Sequence, residues 1–130
     1  MMRTLILILI GLVLGAFGTR MIERTLQMQH AYPRAVMVVM QHHFVSMRNE
    51  VKGGKCPAAT TQNHLEAMIG IAHEIGPAFG TGDAHFNNLA NRLRQSLQQT
   101  VGSTPVDCKG LAAALPVISG RCDDCHREYR

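Results

Sequence analysis

The chain has 130 residues, which supports one domain with a core of modest size and excludes a multidomain enzyme. Hydrophobic residues make up 46% and charged residues 17%, a composition that excludes a disordered chain. The formal charge is +4, but the basic residues are scattered and no Lys/Arg tract alternates with stacking aromatics, so nucleic acid is not expected as a partner. A weak positive balance would instead favour an acidic protein partner through long-range attraction. Aromatics are 5% with no Trp, and eight Met accompany many Leu, Ala and Val. That mixture suits helices better than a β-sandwich, and an all-α fold is expected.

At the N-terminus, Arg3 precedes residues 5–18, which carry neither a charge nor an amide side chain. The run is shorter than the roughly 20 apolar residues needed to span a bilayer, and Arg20 and Glu23 end it. Ala16-Phe17-Gly18 supplies a small-x-small site. Residues 1–18 therefore read as a signal peptide, the competing reading being an uncleaved anchor that extends to about residue 22 with Arg20 snorkelling. Both readings export the rest of the chain, which for a bacterial-looking sequence means an oxidising periplasm, free or tethered to the inner membrane. Residues 19–31 are mixed in character and read as a tether or as the start of a helix.

From Tyr32 onward, Val36, Val39, Met40, His43, Phe44, Met47 and Val51 recur at helical spacing, with Pro33 in the first turn and Gly53-Gly54 as a stop. A second helix is expected to be capped by Thr60 or Thr61, to carry Leu65, Met68, Ile69, Ala72 and Ile75 inward, and to be closed by Gly76-Pro77 with Gly80 and Gly82. Asp83 would cap a third, with Phe86, Leu89, Ala90, Leu93 and Leu97 inward. After Thr104-Pro105 a fourth carries Leu111, Leu115, Ile118, Cys122 and Cys125 along one seam, with a kink expected at Pro116. Four helices joined by short loops most simply form an antiparallel up-down-up-down four-helix bundle over residues 32–130.

Cys122-Asp123-Asp124-Cys125-His126 has the CxxCH spacing of covalent c-type haem attachment. Two thiols three residues apart on a helix share a face and can reach the two vinyl groups of one porphyrin edge, while His126 can offer a ring nitrogen to the iron. A thioredoxin-like dithiol belongs at the start of a helix in a βαβ setting, and this chain has no strand candidate. A structural zinc site would need Cys56 and Cys108 to join Cys122 and Cys125, although the first two lack close pairing.

With those residues in view, the ending Cys122-Asp-Asp-Cys-His126-Arg-Glu-Tyr129-Arg130 resembles the class II cytochromes c, the family of cytochrome c′ and its low-spin relatives. Tyr32-Pro33-Arg34 through Met40-Gln-His-His43-Phe44-Val-Ser-Met47, followed by Lys52-Gly53, is similar to the family's first helix. The resemblance covers about three quarters of the chain and implies a four-helix bundle holding one covalent haem c, with His126 as proximal ligand. It also implies a place for Arg130 beside the proximal imidazole. Alignment of the first helix sets Met37 where cytochromes c′ usually carry an apolar residue over the open iron face. A thioether there is a candidate distal ligand, with Met40 as the alternative one turn on and ordinary core packing as the bland reading.

His43 is expected to be a hydrogen-bonded packing residue, and His30, His42, His64, His73 and His85 to lie on the surface or in loops. Arg34 is expected to face solvent, with a haem propionate as the other partner open to it. In an up-down-up-down bundle the connections holding Cys56 and Cys108 lie at the same end, so a disulfide between them is expected, a pairing outside the family pattern. The expected function is single-electron transfer between redox partner proteins, without substrate turnover. The alternative is a five-coordinate cytochrome c′-like protein that binds nitric oxide or carbon monoxide, and a homodimer is an open assembly state in either case.

Overall fold

The computed structural model describes residues 2–103 and 107–129, with the backbone alone for residues 2, 4, 5, 7 and 25–30. It is all-helical, with no strand among the described residues: α1 is Met2–Lys52, α2 Ala58–Phe79, α3 Ala84–Gly102 and α4 Cys108–Tyr129. Internal contacts divide the chain into two units, Met1–Arg34 and Ala35–Arg130.

The first unit is helical throughout its described residues, including the segment expected as a tether or helix start. Ile8, Leu9, Leu12, Val13, Leu14 and Phe17 are all exposed, and they spread over most of the helix circumference rather than one narrow stripe. The Thr19 hydroxyl donates to the carbonyls of Gly15 (3.0 Å) and Ala16 (3.1 Å), so the helix passes unbroken through Gly18. Among the described residues no helix is long and apolar enough to cross a membrane. Pro33 lies inside α1, not in the first turn of a new helix as its sequence context suggests. The missing N–H removes one helical bond there, and the boundary between the two units follows at Arg34.

In the second unit the buried faces of all four helices meet in one core. Met47 from α1, Leu65 and Met68 from α2, Leu97 from α3, and Leu111 and Ile118 from α4 have almost no exposed surface. The inward positions of α3 read from periodicity, Phe86, Leu89, Ala90, Leu93 and Leu97, are all buried. So are Leu111, Leu115 and Ile118 of α4, which runs on through Pro116. Burying each such side chain contributes about 1.5 to 3 kcal/mol relative to leaving it in water.

The start of α2 differs from the expected one. α2 begins after Pro57 with no side-chain cap, and Thr61, expected as a candidate cap, is buried and donates its hydroxyl to Glu50 Oε2 at 2.9 Å. Burial beside a carboxylate of α1 draws that hydroxyl away from its own helix end. α2 closes within the expected glycine-rich stretch, running through Gly76-Pro77 to Phe79, where Gly80 adopts φ 58° and donates its N–H to the Gly76 carbonyl. Only glycine takes that left-handed position without strain. Packing supports that last turn, since the Phe79 ring lies 5.4 Å from that of Phe86. Asp83 does cap α3, accepting from the His85 N–H at 2.8 Å. Asp107 Oδ1 accepts from the Gly110 N–H at 2.6 Å at the start of α4. The Thr104-Pro105 connection lies outside the described residues.

Cys56 and Cys108 are joined by a disulfide with a Cα–Cα distance of 5.2 Å, which ties the α1–α2 connection to the first residue of α4. At the other end of α4, Tyr129 meets Asp83 at the start of α3. These two links set the ends of the helices as an antiparallel helical bundle requires.

Candidate functional site

Cys122 and Cys125 sit one turn apart on α4, both are free thiols, and both are partly buried against the core. The heptad-like seam explains their placement, because they continue the line of Leu111, Leu115 and Ile118 beyond the last fully buried position. Burial, helped by the charge of Asp123, pushes the Cys122 thiol up to about 11. Cys125 is also raised, first by burial and then by Glu128. A C-terminal helix end disfavours a thiolate as well. A dithiol redox centre needs the opposite environment, a lowered thiol at a helix N-terminus. His126 follows Cys125 directly and is exposed.

The zinc alternative loses two of its four ligands. Cys56 and Cys108 are bonded to each other, and Cys108 starts α4, at the opposite end of that helix from Cys122 and Cys125. Among the described residues no group of three or more His, Cys, Asp and Glu side chains is arranged to hold a metal ion.

The donor set fits a covalent haem in kind. Two free thiols share one face of α4, an imidazole is the next side chain, and a thioether from α1 packs on the same core cluster. That thioether is Met37, which is partly buried at the edge of the cluster, whereas Met40 is 5% exposed inside it. Of the two, Met37 is the less confined. Arg34 is exposed and belongs to the first unit. Arg130 lies outside the described residues.

A second polar group lies between α1 and α2. His43 Nδ1 stands 2.9 Å from His64 Nδ1, His64 Nε2 stands 3.9 Å from Glu50 Oε1, and Glu50 accepts from Thr61. Burial first, then the neighbouring His64 and His42, lower the His43 pKa. His43 thus packs through a hydrogen bond, while His64 is partly buried rather than on the surface as the sequence suggests. Its partner is supplied by another helix, and no spacing within α2 reveals that. His42, His73 and His85 are exposed, with His73 accepting from Arg94 at 3.1 Å and His85 pairing with Glu128 at 2.8 Å. His30 lies outside the described side chains.

The turn after His126 is tied to α3. The Tyr129 hydroxyl donates to Asp83 Oδ2, and the Tyr129 ring meets Phe86 edge-on at 5.1 Å. The bond from Tyr129, followed by that from the His85 N–H, holds the Asp83 carboxyl below its usual range, and the same bond raises the Tyr129 phenol to about 12. Sequence reasoning captured Asp83 as a cap but not as the acceptor for Tyr129, since the two lie 46 residues apart.

Comparison with protein-family models, with curated proteins and with solved structures finds no match for this chain.

Proposed function

We propose that the chain is an exported monohaem c-type cytochrome of class II character, an antiparallel four-helix bundle that carries single electrons between redox partner proteins. The observation that carries this reading is the pair of free thiols on one face of α4, packed on the same core cluster as Met37 and followed directly by His126. Cys122 and Cys125 would hold the haem by thioether bonds, His126 would be the proximal ligand and Met37 the distal one. When bound, the haem supplies one-electron redox chemistry at its iron, with ligand identity and burial setting the potential. The chain's own contribution is to fix the two thiols, present the imidazole, and keep water away with the apolar side chains beside them. Thioether attachment takes place outside the bacterial cytoplasm. The apolar run at residues 5–18 and the Cys56–Cys108 disulfide both suit an exported protein.

The test is the visible spectrum of the ferric and ferrous protein, expressed with the haem-attachment machinery, with and without carbon monoxide. A mass increase of one haem that is lost in the Cys122→Ser/Cys125→Ser variant is expected. The wild type should be low-spin and indifferent to carbon monoxide, and Met37→Ala should turn it high-spin and reactive. A wild type that is high-spin and binds the gas would remove Met37 as ligand and favour the gas-binding alternative. A protein without covalent haem would overturn the reading as a whole.

A further inference from the structure

Past Ile118, α4 has no fully buried side chain, and His126, Arg127 and Glu128 are all exposed. A helix end of that kind frays unless something outside the helix holds it. Here three contacts hold it, and all of them come from the first residues of α3. Tyr129 donates to Asp83, the Tyr129 ring meets Phe86 edge-on at 5.1 Å, and Glu128 pairs with His85 Nε2 at 2.8 Å. Asp83 is itself fixed, because its other oxygen accepts from the His85 N–H as the α3 cap. Phe86 is 2% exposed and rests against Phe79 at the end of α2. The anchor is therefore rigid, and the end of α4 is the part being positioned.

Tyr129 lies one turn beyond Cys125 and three residues beyond His126, so a bond at Tyr129 sets how the whole turn is rotated about the helix axis. From this we infer that Asp83 and Tyr129 are positioning residues for the Cys125-His126 turn, fixing the direction in which the His126 imidazole is offered. The inference rests on the haem reading for its consequence, but the clamp itself does not. Ligands held by a supporting outer contact keep their orientation, and those without one drift.

Tyr129→Phe is the informative variant, since it keeps the ring on Phe86 and removes only the bond to Asp83. In the full chain before haem attachment, hydrogen exchange at the amides of residues 126–129 is expected to quicken about fivefold, with exchange in the cores of α2 and α3 unchanged. In the haem-loaded protein, the spread of haem-methyl proton shifts in the ferric state, which reports the orientation of the axial imidazole, is expected to change in Tyr129→Phe. Asp83→Ser keeps a capping side chain too short to reach Tyr129, and it should give the same change, with no further change in the double variant. Unaltered exchange in Tyr129→Phe overturns the clamp whether or not haem is bound. Quicker exchange with an unaltered haem-methyl pattern overturns the positioning role. A wild type that takes up no haem overturns the proposed function and, with it, the role given to the clamp.

Discussion

His43 and His64 face each other across the α1–α2 interface with their Nδ1 atoms 2.9 Å apart, so one ring must donate and the other accept. Two protonated rings would set two donors against each other. Burial, then His64 and His42, lowers the His43 pKa from 6.5, so the unfolded chain binds more protons than the folded one in the window below that value. The stabilisation is present above about 6.5 and is lost as pH falls through the lowered folded pKa. Glu50 of α1 and Thr61 of α2 are the other polar groups linked to the pair. Thermal melts between pH 8 and pH 5 should show Tm falling on the acid side, and His43→Gln should flatten that fall. Parallel curves for the two proteins would sink this assignment.

The disulfide closes a covalent loop between Cys56 and Cys108, 52 residues apart. In the chain-entropy model a loop of that length stabilises the fold by about 4 kcal/mol. For a domain near 100 residues that corresponds to a Tm change on the order of 15 to 30 °C. Melting the oxidised protein beside the Cys56→Ser/Cys108→Ser variant measures it, and coincident melts would show that the link does not constrain the unfolded chain.

Thr61 has no exposed surface, and its hydroxyl donates to a Glu50 carboxylate that is itself largely buried. Thr61→Val keeps the shape and leaves that oxygen without its donor. A loss of about 1 to 3 kcal/mol is expected in urea unfolding, against less than about 0.5 kcal/mol for Thr60→Val on the exposed side of the same turn.

Leu97 of α3 and Ile118 of α4 belong to the same core cluster and are fully buried, whereas Val117 is 53% exposed. Leu97→Ala or Ile118→Ala should cost about 2 to 5 kcal/mol, with a cavity left behind. Val117→Ala should stay within about 0.5 kcal/mol. An equal cost at positions 117 and 118 would mean that α4 presents a different face to the bundle.

The inward faces of the four helices were largely legible because burial repeats with the helical period, as at Leu65, Met68, Ala72 and Ile75 or Leu89, Leu93 and Leu97, whereas Val39, read as inward, is 43% exposed. The Cys122-Cys125-His126 spacing was legible as well, being local. What the sequence left hidden is tertiary in origin. Thr61 looks like a cap until Glu50 of another helix claims its hydroxyl. Pro33 likewise looks like a beginning, although α1 runs through it. Contacts between residues far apart in the chain leave no periodic trace, so the His43–His64 pair and the Asp83–Tyr129 bond could be found only in three dimensions.

The Cys56–Cys108 bond also changes how α1 and α4 are connected. Without it, the covalent path from Met37 to Cys122 runs the full length of α2 and α3. With it, the two helices spring from one cross-link like the arms of tweezers joined at the base, and α2 and α3 become a closed loop beside them. Met37 lies along one arm and the cysteine pair along the other, all three against the same core cluster. Any widening between the arms is then a bending about a fixed base rather than a separation of helices.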